Sequence, residues 1–530
     1  MKILLVDPAY RFWQFSPFGA SMPNLSFVYL GTYLKHKGYK VEILDMNAER
    51  IGYEKLPEIL KEKKPDVVGV PSAMTCHVPQ SFRVVRTAKA VNPEIVTVCG
   101  GIVATLASER LMRECPELDF IVRGDGEITT VELLQALGEG RRDFSHILGL
   151  TWRDGDKIIR NPDRPPIMDL DSLPLLDWSL VDFSKYWFDL YPPKWGPQAL
   201  LTISRGCPYG CRFCSPKLAA GRWREMSPRR ALEEIKQLYH KWGRRMLWLF
   251  DLTFGIRRDA TEELLEGILR EGLKMNFEIF TRADLVIKRK DLLPLMRRAG
   301  IRIASIGMET PLRKDIEKSG KVSANVDYVR IAKEAAKLLR KHDIDIWATY
   351  MWGDVDHTPE DVAAIWKFAD ELDCTIAVFC FITPHPGTPY YEMMKDHLLS
   401  EDLSWFSEDN PVLKNLYMTP DQMRILEQEM LANYYLKPSR LLRHAVFGSE
   451  FARWWYRFLM RTWREQAPTI YKMWRERMGW KGYNKESEEE LRKWARKVLG
   501  VPAQTRIFQK LIKSIVKLLP LPQLPEPEMA

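Results

Sequence analysis

Three cysteines stand close together in the segment SRGCPYGCRFCSP: Cys207, Cys211 and Cys214. Thiolates at this spacing in one tight loop can ligate three irons of a cubane cluster and leave the fourth iron without a protein ligand. An iron with an open position can bind a substrate or a cofactor directly. A structural zinc site is normally closed by four ligands. Zinc is therefore the alternative only if Cys374, Cys380 or a histidine joins the three.

The cysteine loop directly follows a predicted strand, and this strand begins a series of about six strand–helix units. Buried parallel strands separated by amphipathic helices predict an open or complete (βα) barrel. The cysteine loop would then lie at the carboxyl end of the first barrel strand. The predicted strands are ALLTIS (199–204), MLWLFD (246–251), FEIFTR (277–282), IASIGME (303–309), DIWATYMWG (345–353) and IAVFCFI (376–382).

An earlier strand–helix series occupies the N-terminal part of the chain. Its strands are continuous apolar runs, which is typical of a parallel sheet covered by helices on both faces. Ligands of such open sheets bind beyond the carboxyl ends of the strands, so the turns there predict a ligand site. These turns contain Pro8, Ser72, Gly100–Gly101 and Gly124–Asp125–Gly126.

The fold class is therefore α/β, with a Rossmann-like domain, a partial barrel and a helical C-terminal region. Between the two sheets the segment RNPDRPPIMDLDSLPLLDW is rich in Pro and Asp, which is typical of a linker. Sequence patterns typical of β-strands are absent after residue 400. The Pro-rich composition of the last residues predicts that they are disordered. The expected boundaries are 1–145 for the first domain, 146–195 for the linker, 196–400 for the barrel, 401–520 for the helices and 521–530 for the tail.

Composition excludes several classes of protein. The 530 residues are 46% hydrophobic and 28% charged, as in ordinary globular proteins. Eight cysteines are too sparse for a disulfide scaffold, and no apolar run approaches the ~20 residues that span a bilayer. We expect a cytoplasmic protein. Of the net charge of +9, the last 100 residues carry 20 Lys and Arg against 9 Asp and Glu, so the basic excess is C-terminal.

With Phe213 just before the third cysteine, the loop resembles that of the radical S-adenosylmethionine (SAM) superfamily. The resemblance implies a [4Fe-4S] cluster whose open iron chelates SAM, and reductive cleavage of SAM to a 5′-deoxyadenosyl radical. It also implies SAM contacts from Phe213 and from three strand-end residues: Asp251 for the amino group, Arg282 for the carboxylate and Glu309, in IGMET, for the ribose. The alternative for these three is a strand-end charge that is satisfied within the protein.

A doubly wound domain ahead of such a barrel resembles the cobalamin-binding subclass of this superfamily. An Asp-x-His-x-x-Gly segment is absent from residues 1–150, so a lower histidine ligand to cobalt is not expected, although His77 lies near the third turn. A nucleotide-binding domain is the rival, but G-x-G-x-x-G is missing after the first strand. The resemblance implies cobalamin contacts from Ser72, Thr75, Gly100, Gly101, Gly124 and Glu127.

The C-terminal region resembles the helical extension of this subclass, which includes the anaerobic magnesium-protoporphyrin monomethyl ester cyclases. Its aromatic and basic residues are expected to cap the barrel mouth, and the basic amphipathic segment 505–519 either lies at a membrane interface or packs on its own domain. The expected capping residues are Tyr434, Tyr435, Arg453, Trp454, Trp455, Arg457 and Arg461.

Together these patterns predict a radical SAM enzyme that modifies an unactivated carbon, with C-methylation as the first hypothesis. An oxidative cyclase acting on a porphyrin-like substrate is the alternative, and a non-catalytic iron–sulfur or cobalamin sensor is the alternative of another class. The resemblance also implies an electron donor such as ferredoxin or flavodoxin and a small-molecule, lipid or tetrapyrrole substrate. Nucleic acid is not an expected partner.

Overall fold

A computed structural model describes residues 1–10, 22–186, 191–322, 326–461 and 485–501. Two large sheets and one two-stranded sheet organise this part of the chain. Its fifteen strands are β1 Lys2–Asp7, β2 Lys40–Asp45, β3 Val67–Pro71, β4 Val96–Gly100, β5 Phe120–Val122, β6 Leu150–Asp154, β7 Lys157–Arg160, β8 Gln198–Leu201, β9 Ser204–Arg205, β10 Arg224–Glu225, β11 Met246–Leu249, β12 Asn276–Thr281, β13 Ile301–Glu309, β14 Asp345–Trp352 and β15 Ile376–Phe381.

Helices follow most of the strands, as the sequence periodicity predicts. Those of the first domain are α1 Leu25–His36, α2 Leu56–Lys63, α3 Val78–Val91, α4 Ile102–Leu106, α5 Ser108–Glu114 and α6 Gly126–Gly138. Those of the barrel are α7 Ser215–Ala220, α8 Pro228–His240, α9 Arg258–Arg270, α10 Ala283–Lys288, α11 Leu293–Ala299, α12 Arg313–Ser319, α13 Tyr328–Lys341, α14 Pro359–Leu372 and α15 Pro389–Met394. The C-terminal helices are α16 Pro420–Tyr435, α17 Pro438–Ala445, α18 at 450–461 and α19 Lys485–Leu499.

The first sheet has the strand order β2-β1-β3-β4-β5-β6-β7, and its first five strands are parallel. This 2-1-3-4-5 order is that of doubly wound, flavodoxin-like folds. Apolar side chains from both faces are buried. Leu4 and Val6 belong to one cluster and Ile3 and Leu5 to another on the opposite side. The continuous apolar pattern of the strands therefore reports burial on both faces.

The linker prediction for 146–195 is wrong in its first part. Strands β6 and β7 form an antiparallel hairpin that extends the first sheet beyond β5. The hairpin turns at Gly155, whose φ is +56°, and each strand is only four or five residues long. Alternation over so few residues is too brief to distinguish from a loop. The rest of the segment crosses between the domains through short 3-10 turns, with Trp178 fully buried.

The second sheet is a six-stranded parallel sheet in the order β15-β14-β13-β12-β11-β8, which is sequential along the chain. This is the predicted partial barrel. Each predicted barrel strand overlaps an observed one, with its start within two residues and its end within three. Several barrel and C-terminal helices begin at side-chain caps. In α14 and α16, Thr358 and Thr419 form capping boxes with Asp361 and Gln422, which satisfy the free N–H groups of the first turn.

The expectation that the C-terminal residues cap the barrel mouth is wrong for the residues whose contacts are described. The hydroxyls of Tyr434 and Tyr435 donate hydrogen bonds to the carbonyl oxygens of Cys374 and Ala377, where β15 begins. Trp455 packs beside Trp347 near the start of β14. These helices thus cover the edge of the sheet and the end opposite the cysteine loop. Segment 505–519 lies outside the described residues, as does 521–530.

Among the described residues, no helix combines the length and the apolar content required to cross a bilayer.

Candidate active site

The cysteine loop leaves β9 and enters α7, at the carboxyl end of the barrel. Gly206 precedes the first cysteine with φ +79°, and a Cβ there would lie 2.8 Å from the carbonyl oxygens of Gly221 and Arg222. Only glycine fits this close approach. Cys214 is the N-cap residue of α7. The loop therefore has one fixed path that places Cys207, Cys211 and Cys214 on the same turn.

The number of cysteines in the loop bears on which metal it could hold. A structural zinc site is normally closed by four ligands, and the loop supplies three. A cubane cluster, which binds each cysteine at a separate iron, fits this donor set. Elsewhere in the described ranges, the side chains of Asp315, Asp354 and His357 offer potential ligand atoms that all lie within 4.8 Å of one another.

Hydrogen bonds and an ion pair already hold the group of Asp315, Asp354 and His357 in place. The Nε2 atom of His357 lies 3.0 Å from Asp315, and its Nδ1 accepts a hydrogen bond from the Gly353 amide. Asp354 is paired with Lys318 over 2.8 Å. Both ring nitrogens and both carboxylates are therefore already engaged.

Burial raises the pKa of the Cys214 thiol to about 11 and also raises that of Cys211. Positive charges on Lys321 and Arg282 oppose the effect at Cys211. A thiol with a pKa of about 11 is protonated at neutral pH, so ligation of iron by Cys214 must displace its proton.

Arg282 lies beside the cysteine loop. Its Nη1 is 3.8 Å from the sulfur of Cys211, and its guanidinium stacks over the ring of Tyr209 at 3.7 Å. Nη2 donates to the carbonyl oxygen of Lys321, and Nε donates to Asp284. The structure thus places a buried cation next to Cys211, one of the three predicted cluster ligands, where a carboxylate of a cluster-bound molecule would be attracted.

Glu309 ends β13 at a register shift, with φ +57°. Its carboxylate forms a buried ion pair with Lys321, which also donates to the carbonyl oxygen of Gly307 over 2.6 Å. The nearby negative charge of Glu309 helps to raise the pKa of Lys321 against the opposing effect of burial. Lys321 is a site residue that sequence reasoning missed, because no motif links it to IGMET.

Asp251 supports the approach to the loop. Its Oδ1 accepts hydrogen bonds from the Ile203 amide at 3.0 Å, the Ser204 hydroxyl at 2.7 Å and the Ser204 amide. Burial raises the pKa of this carboxyl to about 7. These bonds hold the turn from β8 into β9, and the contact of Asp251 with the SAM amino group stays a prediction.

Phe213 is half-buried and packs with Val355, Tyr390, Met394 and Leu413 in a small apolar cluster below the loop. Its described contacts anchor the loop. Contact between Phe213 and SAM stays a prediction.

The predicted cobalamin residues of the first domain form one compact corner. Ser72 Oγ donates to the carbonyl oxygen of Gly100 at 2.8 Å and accepts from the Ala104 amide at 2.9 Å. A Cβ on Gly101, whose φ is +111°, would lie 3.1 Å from the Ser72 backbone. Gly124 donates its amide to Thr105. The hydroxyl of Ser72 therefore joins β3 to β4, and the bare glycine backbone forms the surface open to a ligand.

Thr75 connects this corner to the barrel. Its hydroxyl lies 2.9 Å from Nδ1 of His385, and Nε2 of His385 lies 3.6 Å from Glu408. Burial alone would raise the pKa of Glu408, but the hydrogen bond and charge of His385 lower it below its usual value. The turn containing His385 follows the last barrel strand. It thus contacts the domain predicted to bind cobalamin.

A buried ion-pair network makes a second connection between the domains. Glu127, predicted as a cobalamin contact, accepts a hydrogen bond of 2.6 Å from Arg205. The neighbouring Asp125 binds Arg224 through both carboxylate oxygens, at 2.6 and 2.5 Å. Arg205 precedes Cys207 by two residues, and Arg224 lies on the paired strand β10. The two arginines were not predicted, because their partners are remote in sequence.

Comparison with known proteins identifies the two domains that meet at this site. Residues 16–134 match the family described as B12 binding domain, and residues 201–369 match the radical SAM superfamily. The chain is 31% identical over 446 residues to an uncharacterized methyltransferase of Pyrococcus horikoshii, covering 84% of this chain and 94% of that protein.

The chain is also 29% identical to the anaerobic magnesium-protoporphyrin IX monomethyl ester cyclase of Cereibacter sphaeroides, covering 86% of this chain and 73% of that enzyme. Its fold is similar to the structure of the cobalamin-dependent SAM radical enzyme OxsB with aqua-cobalamin and SAM bound. The TM-score is 0.68 at 16% identity, over 98% of this chain and 84% of that one.

The predicted fold class and the three cofactors, a [4Fe-4S] cluster, SAM and cobalamin, are confirmed. The chain belongs to the cobalamin-dependent radical SAM enzymes.

Proposed function

We propose that the protein is a C-methyltransferase that acts on an unactivated carbon of a small-molecule substrate. The observation that carries this proposal is the ion pair between Glu127 and Arg205, which joins a turn of the B12-binding domain to the start of the cluster loop. Transfer of a methyl group to a substrate radical requires both reactive centres to face one space. A direct and buried connection between the two loops supports that arrangement.

When bound, SAM at the cluster supplies a 5′-deoxyadenosyl radical that abstracts hydrogen, and cobalamin supplies the methyl group. The protein's own residues bind and orient these groups. Cys207, Cys211 and Cys214 would hold the cluster. Arg282 would neutralise the SAM carboxylate, and Glu309, fixed by Lys321, would accept from its ribose hydroxyls.

On the cobalamin side, the exposed backbone at Gly101 and Gly124 lets the ligand approach the sheet edge closely. Thr75, held by His385, would donate a hydrogen bond to the corrin side chains. These roles follow the predicted residue set and the contacts described above.

Isotope labelling of the SAM methyl group distinguishes methyl transfer from oxidative cyclisation. The anaerobically reconstituted enzyme is incubated with reductant, SAM carrying a deuterated methyl group, and a small-molecule extract of a strain that lacks the gene. We expect a product heavier by one deuterated methyl group, and none with the Cys214→Ala variant. A product that lacks the label and has lost hydrogen would contradict methyl transfer and favour the cyclase.

The reaction also needs a one-electron donor, and we propose an acidic carrier such as ferredoxin or flavodoxin. Arg212 and Arg222 are exposed on and near the cluster loop, which supports docking of a negatively charged protein. Reduction of the cluster by ferredoxin should slow as salt increases and in Arg222→Glu, but not when dithionite is the reductant. Peripheral membrane contact through 505–519 also stays a proposal.

A further inference from the structure

The two faces of the barrel sheet are buried to different extents. Side chains alternate between faces along a strand. On the face that packs against helices, Leu249, Tyr350 and Phe379 are at most 2% exposed, and Tyr350 meets Phe368 of α14 edge-on. The opposite, inner face is only half-buried midway along the strands. Its residues there include Leu200, Trp248, Phe280, Thr349, Met351 and Val378.

Aromatic side chains form one wall of this inner face. Trp248 and Phe280 stack with ring centroids 5.6 Å apart, and Phe250 lies edge-on to both at 5.1 and 5.2 Å. Phe250 is 46% exposed. It directly precedes Asp251, which holds the approach to the cluster loop. An open aromatic surface therefore begins next to the site of radical formation.

One charged residue lies on the same face as this wall, and two more lie at its upper end. Glu278 is the register partner of Trp248, but it is fully buried and its carboxylate accepts hydrogen bonds from Ser305 and Tyr191. Arg282 and Glu309 lie at the strand ends. The exposed part of the wall is therefore aromatic and uncharged. A charged group placed against it would lose hydration, whereas apolar surface would gain by burial.

On the basis of the proposed function, we propose that this inner face binds an uncharged, apolar ring system of the substrate, with Trp248, Phe250 and Phe280 as its main contacts. Flat rings stack on such aromatic side chains with additional stabilisation. SAM carries charged groups, and we expect it to bind at the charged strand ends instead.

The test uses an uncharged apolar photolabel, trifluoromethyl-phenyldiazirine, on the enzyme reconstituted with cluster, cobalamin and saturating SAM. Trypsin releases the wall as two peptides, 246–257 (MLWLFDLTFGIR) and 275–282 (MNFEIFTR). We expect the label on both. A Phe250→Glu substitution should lower it about tenfold, because it places a charge in the wall. Phe250→Leu should retain the label, and iron–sulfur absorption verifies that each variant holds its cluster.

Phe447→Glu is the matched control, since Phe447 is 75% exposed on the C-terminal helical region. This change should leave wall labelling intact. Equal labelling of wild type and Phe250→Glu would overturn the proposal, as would loss of the label when SAM is added, which would assign the face to the cofactor. Failure of the proposed function is distinct: the isotope experiment then yields no methylated product while the wall still takes the label.

Discussion

Glu127 and Arg205 form an ion pair between the B12-binding domain and the radical SAM barrel, with an N–O distance of 2.6 Å. Their side chains are 6% and 16% exposed. Each charge is therefore largely removed from water. Arg205 also pairs with Asp125 over 3.1 Å, so loss of Arg205 deprives two carboxylates of a cation, whereas loss of Glu127 leaves Arg205 with one carboxylate partner.

Substituting either residue alone should destabilise this interface, and the loss of Arg205 should cost more. We expect Arg205→Gln to lower the free energy of unfolding by about 3 kcal/mol. Glu127→Gln should lower it less, because Asp125 still pairs with Arg205, and the double variant should lose less than the sum. Thermal unfolding and the retained cobalamin measure the effect. Arg258→Gln is the control, because its pair with Glu262 is about half exposed and surface pairs contribute about 0.5 kcal/mol. Additive losses would show that the two charges act independently.

Removal of one cluster ligand should abolish the cluster without unfolding the protein. In Cys214→Ala we expect iron content to fall severalfold and 5′-deoxyadenosine formation to disappear, while cobalamin binding persists. Cys99→Ala is the matched control, since Cys99 is buried in the core of the first domain. Iron analysis and visible absorption follow both variants. Retained SAM cleavage in Cys214→Ala would show that the cluster site is misassigned.

Features encoded by neighbouring residues could be predicted from the sequence. The cysteine loop is a local motif, and a continuous apolar run such as that of β1 marks a strand buried on both sides. The turn glycines Gly101 and Gly124 were predicted at the ligand edge of the first sheet, and both adopt a positive φ.

Contacts between distant residues could not be predicted in this way. Arg205 and Glu127 are 78 positions apart, and Lys321 meets Glu309 only because the chain returns after α12. The position of the C-terminal helices was predicted incorrectly for the same reason. Amphipathic periodicity shows that Tyr434 is buried, but not which end of the barrel it packs against.

Asp251 allows a test of whether its charge or its hydrogen-bonding capacity matters. An amide oxygen can accept the same bonds from Ile203 and Ser204, so Asp251→Asn should retain stability and iron content. Asp251→Ala leaves buried donors without an acceptor and should cost about 1–3 kcal/mol. The difference is measured by denaturant unfolding and iron analysis. If Asn retains the cluster but SAM binding weakens, the charge of Asp251 acts on SAM; if SAM affinity is unchanged, Asp251 only positions the loop.

Asp7 should make the first domain less stable as pH rises. Asp7 ends β1 opposite Asp45 of β2, and burial, together with the charge of Asp45, raises its pKa from 3.8 to about 8. Between about pH 4 and 8 the folded protein thus retains a proton that the unfolded chain has released. The contribution of this group to stability is complete below pH 4 and is lost toward pH 8, with a slope of at most about 1.4 kcal/mol per pH unit.

An Asp7→Asn substitution removes this titration and should flatten the pH dependence of the free energy of unfolding. The stability of the variant relative to the wild type should therefore increase as pH rises. The measurement is urea unfolding between pH 5 and 8, followed by circular dichroism. Asp156→Asn, in the exposed turn between β6 and β7, is the control and should keep the wild-type slope. Parallel curves for wild type and Asp7→Asn would mean that Asp7 is ionised in the folded state, with its charge stabilised by Asn24 and Tyr10, whose hydrogen bonds lower its pKa.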